Sequence, residues 1–149
     1  MQTTYNLNTL YEIDDHQWLE ETVERLKNRE FDQLDLENLI EELEDLGRER
    51  KNKVASLLEQ IIRHYLMYQF WTEEYERNSQ HWEAEIFNFK IQLNRLLTRN
   101  LHIYLEENLD KIYQSSCKYI QKKARLDNLP QKNPYTLEAL LNEDHLPQS

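Results

Sequence analysis

Apolar residues recur along most of the chain at spacings of three and four, the period of a helix that buries one face. The first such stripe is Trp18, Leu19, Val23 and Leu26. Asp14, followed three residues later by Gln17, resembles a capping box opening this helix, which runs to about Asn28. After a connection over Phe31 to Leu34, Asp32 or Asp35 can cap a much longer helix carrying Leu36, Leu39, Ile40, Leu43, Leu46, Val54, Leu57, Leu58, Ile61, Ile62 and Tyr65. At roughly 30 to 35 residues it would span roughly 50 Å. Asn78 or Ser79 caps a third helix with Trp82, Ile86, Phe89, Leu93, Leu96 and Leu97, ending near Arg99. A fourth follows Asn100 with Leu105, Leu109, Ile112, Cys117 and Ile120 facing inward, and Asn128, Pro130 and Pro134 stop it. Thr136 starts a short last helix, Leu137 to Leu141. No period-two alternation persists, and with two Val in the chain nothing reads as a strand. The expected fold is all-α: a mainly antiparallel helical bundle with one long central helix and short N- and C-terminal helices. It forms a single domain over residues 1–149, with a core over about 10–141 and a polar tail over 142–149.

Composition narrows the chemistry. Leu, Ile, Val and Phe make up about a quarter of the 149 residues, enough for a packed core. One Gly and three Pro leave no material for glycine-cradled phosphate loops or dinucleotide fingerprints. A single Cys117 excludes an internal disulfide and a multi-cysteine metal site, and suits a reducing compartment. The polar first residues and the absence of a long apolar run predict a cytoplasmic protein with no membrane association. Gly47, placed inside the long helix, costs stability there and so calls for a packing reason, most simply the close approach of a neighbouring aromatic ring. Glu44 with Arg48, and Glu49 with Lys53, support continuity of the helix across it.

The formal net charge of −10 is concentrated in one segment. Residues 12 to 46 hold fourteen Asp and Glu against Arg25, Lys27 and Arg29, a balance of −11. Such a face repels phosphates, which makes nucleic acid an unlikely partner; a mostly solvated helix face is the simpler reading of it, and a docking surface for a basic partner the sharper one. Lys118, Lys122, Lys123 and Arg125 form a smaller basic group that suits a helix C-terminus.

Several strings combine into a known pattern: Trp18-Leu19-Glu20, then the run LDLENLIEELEDLG from Leu34 to Gly47, then His64, Gln69, Trp82 and Ile86. The tail Pro134-Tyr135-Thr136-Leu137-Glu138 and the closing Leu146-Pro147 complete it. Over about residues 8 to 147 the chain resembles the family catalogued as domain of unknown function 29, small helical proteins found mainly in cyanobacteria and some other bacteria. Asn128 stands where that family often has Gly before the Leu129-Pro130 pair, and Asn133 where it often has Cys. The resemblance implies an all-helical fold and brings no catalytic residues with it.

Four constellations are candidates for chemistry. Glu37, Glu41 and Asp45 recur at i, i+4 and i+8, and Glu42 joins Asp45 on a neighbouring strip, so these four could hold a divalent cation as helical bundles do. The simpler reading is a solvated acidic face. His64 follows Asp45 by nineteen residues, about 28 Å along a continuous helix, too far to share an ion, and reads as a half-buried histidine. The carboxylate signature of helical nucleotide pyrophosphohydrolases is incomplete, because the Glu41-Glu42 pair is followed by Glu44 and Asp45 rather than by a Glu at the third position after the pair, and the first ExxD beyond that string is Glu107 to Asp110, about sixty residues later. Arg77 and His81 approximate the Arg–His spacing of HEPN-type ribonucleases but miss it by one residue. Finally, half of the sixteen aromatics lie between Tyr65 and Phe89, around the turn joining the second and third predicted helices. Tyr68, Trp71, Tyr75, Arg77 and Trp82 are the interface candidates among them if they prove exposed, since Trp, Tyr and Arg dominate binding hot spots. No catalytic residue is assigned and no cofactor is called for. The reading is a nonenzymatic interaction or regulatory protein, through a protein partner or self-association. The alternatives are a metal-dependent hydrolase using Glu37, Glu41, Glu42 and Asp45, or a HEPN-like ribonuclease.

Overall fold

The capping signals order the chain as a series of helices in the computed structural model, which describes residues 6–148. Those residues form six α-helices and no strand. They are α1 (Leu7–Ile13), α2 (Asp15–Lys27), α3 (Leu36–Phe70), α4 (Thr72–Leu96), α5 (Arg99–Ala124) and α6 (Leu137–Leu141), with a 3₁₀ turn at Phe31–Gln33. The fold is all-α, as the periodicity predicts. Contacts divide it into two units, Met1–Glu49 and Arg50–Ser149, with the boundary inside α3.

In the first unit, α1 is an element the periodicity misses. It is one short turn pair in which Asn6 accepts from the Thr9 N–H at 2.9 Å and Leu7 and Leu10 turn inward. Asp14 ends α1 and caps α2, accepting from the Gln17 N–H at 3.1 Å. The core is small: Leu7, Leu10 and Trp18, with Tyr11 edge-on to Trp18 at 4.9 Å and Leu39 alongside. The Trp18 indole N–H donates to the buried Asp35 carboxylate at 3.2 Å, and the Asn38 side chain donates to the same oxygen at 2.7 Å. Asp35 therefore starts α3 and satisfies the one buried indole of this unit. Of the predicted α2 stripe only Trp18 is buried; Leu19, Val23 and Leu26 are exposed, because α1 and α3 cover just one edge of the helix.

α3 runs 35 residues through Gly47 without a break. An added Cβ at Gly47 would meet nothing within 4 Å, so no aromatic ring uses the gap. The apolar residues of α3 divide sharply. Leu36, Ile40, Leu43 and Leu46 are exposed, whereas Val54, Leu57, Leu58, Ile61, Ile62 and Tyr65 form the spine of the second unit's core.

In that second unit the third helix begins at Thr72 rather than at Asn78 or Ser79. Trp71 alone separates α3 from α4, its N–H still bonded to the Met67 carbonyl, and the Asn78 side chain donates to the Glu74 carbonyl within the helix. α5 begins two residues earlier than a start after Asn100, because the Thr98 hydroxyl accepts from the Leu101 N–H at 3.2 Å. Ile86, Leu93, Leu105, Tyr113, Cys117 and Ile120 complete the core with Leu137 and Leu140 of α6. The polar tail is no free appendage. Asn94 donates to the Leu141 carbonyl at 2.9 Å, Gln69 donates to the Gln148 carbonyl at 2.8 Å, and Pro147 is buried. Among the described residues no helix is long and apolar enough to cross a membrane.

Candidate functional site

The predicted carboxylate strip lies in the open. Glu37, Glu41 and Glu42 are exposed and Asp45 is half-exposed. Glu42 accepts a short hydrogen bond from the Tyr11 hydroxyl, which holds the Tyr11 phenol up at about 12, and Asp45 is engaged by Arg48. Among the described residues no three His, Cys, Asp or Glu side chains are arranged to hold a metal ion. His64 is half-buried, its Nδ1 bonded to the Gln60 carbonyl at 2.7 Å and its ring 5.4 Å from Phe89; burial lowers its basicity. Arg77 and His81 are exposed on α4, with Arg77 near Glu74. Glu107 and Asp110 are exposed on α5. Cys117 is buried, and that burial raises its thiol above the usual value, so it carries little thiolate.

The aromatic cluster is mostly internal. Trp71 and Trp82 stack at 6.0 Å, the Tyr75 hydroxyl donates to Tyr68 at 3.2 Å, and Tyr68 donates to Glu83 at 2.8 Å. Trp82 and Tyr68 are buried, Trp71 and Tyr75 half-buried, and Arg77 alone of the five stands in solvent. The rings thus serve packing first.

Two further features were not read from the sequence. The first is Lys90, fully buried on α4. Its ammonium donates to the Tyr65 hydroxyl at 2.5 Å and to the carbonyls of Ala139, Asn142 and His145 at 3.1, 2.7 and 2.8 Å. The Tyr65 hydroxyl lies 2.8 Å from His145 Nδ1 and its oxygen accepts a hydrogen bond from the Lys90 ammonium, so one buried cation fastens the C-terminal segment to α3 and α4. Burial draws the ammonium down to about 8, with Asp144 pulling it partly back up. It remains protonated at neutral pH. A signal was present: Lys90 stands between Ile86 and Leu93 on the apolar stripe of α4, at i+4 from one and i−3 from the other.

Burial also lifts the phenols of Tyr65, Tyr113 and Tyr135 well above their usual value. Above about pH 10 the unfolded chain releases protons that these folded tyrosines keep, so stability falls as pH rises through that point. An ultraviolet phenolate titration should show these three ionising only together with loss of helical circular dichroism. Ionisation of all nine tyrosines with the helices intact would refute this.

The second feature is apolar exposure in the first unit. Among the described residues, nine of the thirteen large hydrophobic residues that are substantially exposed lie there: Ile13, Leu19, Val23, Leu26, Phe31, Leu36, Ile40, Leu43 and Leu46, between 40% and 61% exposed. On α2, Leu19, Val23 and Leu26 share one side; on α3, Leu36, Ile40 and Leu43 do. Leu, Ile and Phe at such density, interleaved with acids, make a surface able to bury apolar area against another molecule.

The family model described as "Domain of unknown function DUF29" matches residues 10–146. The chain belongs to the DUF29 family. Searches of the curated proteins and of the solved structures find no match. In this DUF29 chain Asn133, at the position where the resemblance led to Cys, accepts from the Tyr135 N–H at 2.8 Å and shapes the entry to α6.

Proposed function

We propose that this DUF29 protein is a nonenzymatic interaction protein that binds a macromolecular partner through its acidic Met1–Glu49 unit. The observation that carries this reading is that, among the described residues, this unit has nine exposed large hydrophobic residues and a core of three buried ones. Burial of apolar surface is worth about 25 cal/mol per Å², so a face of this kind stays in water at a cost that association recovers. The surrounding charge keeps it soluble: residues 12 to 46 balance at −11 and oppose nonspecific association.

The test replaces exposed positions, which leaves folding intact. Immobilised wild-type chain and an Ile40→Glu, Leu43→Glu variant of unchanged circular dichroism are offered the same lysate of the source cells. Proteins held by the wild type and released by the variant support the reading. A retained set identical for both, with the wild type monomeric at low and high salt, overturns it.

A further inference from the structure

The single glycine of the chain sits on the exposed stripe of α3. At 100° per residue, Leu36, Ile40, Leu43 and Gly47 fall within about 60° of one another, so the glycine continues the line of three side chains that are each more than half exposed. Glycine weakens a helix interior, and here nothing inside the chain uses the missing side chain, since the space at its Cβ position is empty to 4 Å. The backbone at Gly47 is therefore bare on the same side as the apolar stripe. Small residues at such points let a second helix come close enough for backbone-to-backbone packing. The border of the stripe is acidic: Glu37, Glu41 and Glu44 follow one side of it, and Glu37 and Glu41 have no cation within ion-pair distance among the described residues.

We infer that this stripe receives a basic amphipathic helix of a partner protein, lying on Leu36, Ile40 and Leu43 with its closest approach at Gly47 and its Lys or Arg side chains facing Glu37 and Glu41. The inference rests on the reading of the first unit as an interaction surface. Charge decides between occupants: a second copy would bring a segment of charge −11 against itself, whereas a cationic helix gains on association. The mode is packing of one helix against another, with anchors on α3 at i, i+4 and i+7.

The probe is a labelled Leu/Lys peptide of about eighteen residues, roughly five helical turns, with apolar residues at helical spacing, and a Leu/Glu peptide of the same pattern as control. Binding is read by fluorescence anisotropy at physiological salt against the full chain, Ile40→Glu and Gly47→Gln. Gly47→Gln fills the bare backbone with a good helix former, so its melting temperature should rise by a few degrees while its affinity for the Leu/Lys peptide falls at least about tenfold. Ile40→Glu should lose the peptide as well, and the Leu/Glu control should not bind. Leu/Lys binding that Gly47→Gln leaves unchanged overturns the inference, as does wild-type dimerisation that both substitutions abolish. Failure to bind the peptide, with lysate partners still released by the Ile40→Glu, Leu43→Glu variant, overturns this partner while leaving the interaction surface standing.

Discussion

Lys90→Ala is expected to lower the stability of the Arg50–Ser149 unit by about 3 kcal/mol. Truncation removes three buried methylenes, worth about 0.8 kcal/mol each, and because the side chain is fully buried it also leaves a void among Tyr65, α4 and the C-terminal segment. The polar part works in two directions. Loss of the ammonium removes a donor to four oxygens, but it also relieves the dehydration that draws this group down to about 8. Lys90→Met, which keeps the stem, separates the two and should cost about half as much. The melting temperature of this unit in Lys90→Ala, followed through Trp71 and Trp82 fluorescence, should fall by roughly 12 to 24 °C. Residues 136–148 should become the first site of proteolysis. The pH dependence supplies an independent sign. Between about pH 8 and the unfolded lysine value near 10.4, the unfolded chain holds a proton that the folded chain has released, so this group makes stability rise with pH across that window. Lys90→Met should remove that rise. A Lys90→Ala variant as stable as the wild type would show that the C-terminal segment is held by its apolar contacts alone.

Trp18→Ala should unfold the helices of the first unit. Trp18 is the largest of the three buried hydrophobic residues described there, and truncation of a buried Trp costs about 3 to 5 kcal/mol. A core of that size has little reserve. The substitution also leaves the buried Asp35 carboxylate with Asn38 as its remaining side-chain donor. Hydrogen exchange should show protection lost across Leu7–Ile13 and Asp15–Lys27, with protection retained in Thr72–Leu96 and Arg99–Ala124. Trp18→Phe restores most of the packing without the indole N–H, and should cost only about 1 to 2 kcal/mol. Retained protection over α1 and α2 in Trp18→Ala would contradict the assignment of Trp18 as the centre of that core.

The helix period was legible along nearly the whole chain, because leucines at spacings of three and four encode a buried stripe without reference to any neighbour. Asp14, Asp35 and Thr136 could likewise be read as caps, since a cap bonds to an N–H only three residues away. The family too is a property of the amino-acid order, carried by LDLENLIEELEDLG and the closing Leu-Pro. What periodicity cannot report is which stripes find a partner. Leu36, Ile40 and Leu43 look the same in sequence as Leu57, Leu58 and Ile61, yet the first three face water and the others are fully or almost fully enclosed. Burial is set by elements distant along the chain, and so is the fate of a charge. The position of Lys90 on the apolar stripe of α4 hints at burial, but its partners, Tyr65 and the carbonyls of Ala139, Asn142 and His145, are brought around it only by the tertiary fold. Local order thus determined the helices and their ends, and tertiary structure alone decided which surfaces close on a core and which stay open to another molecule.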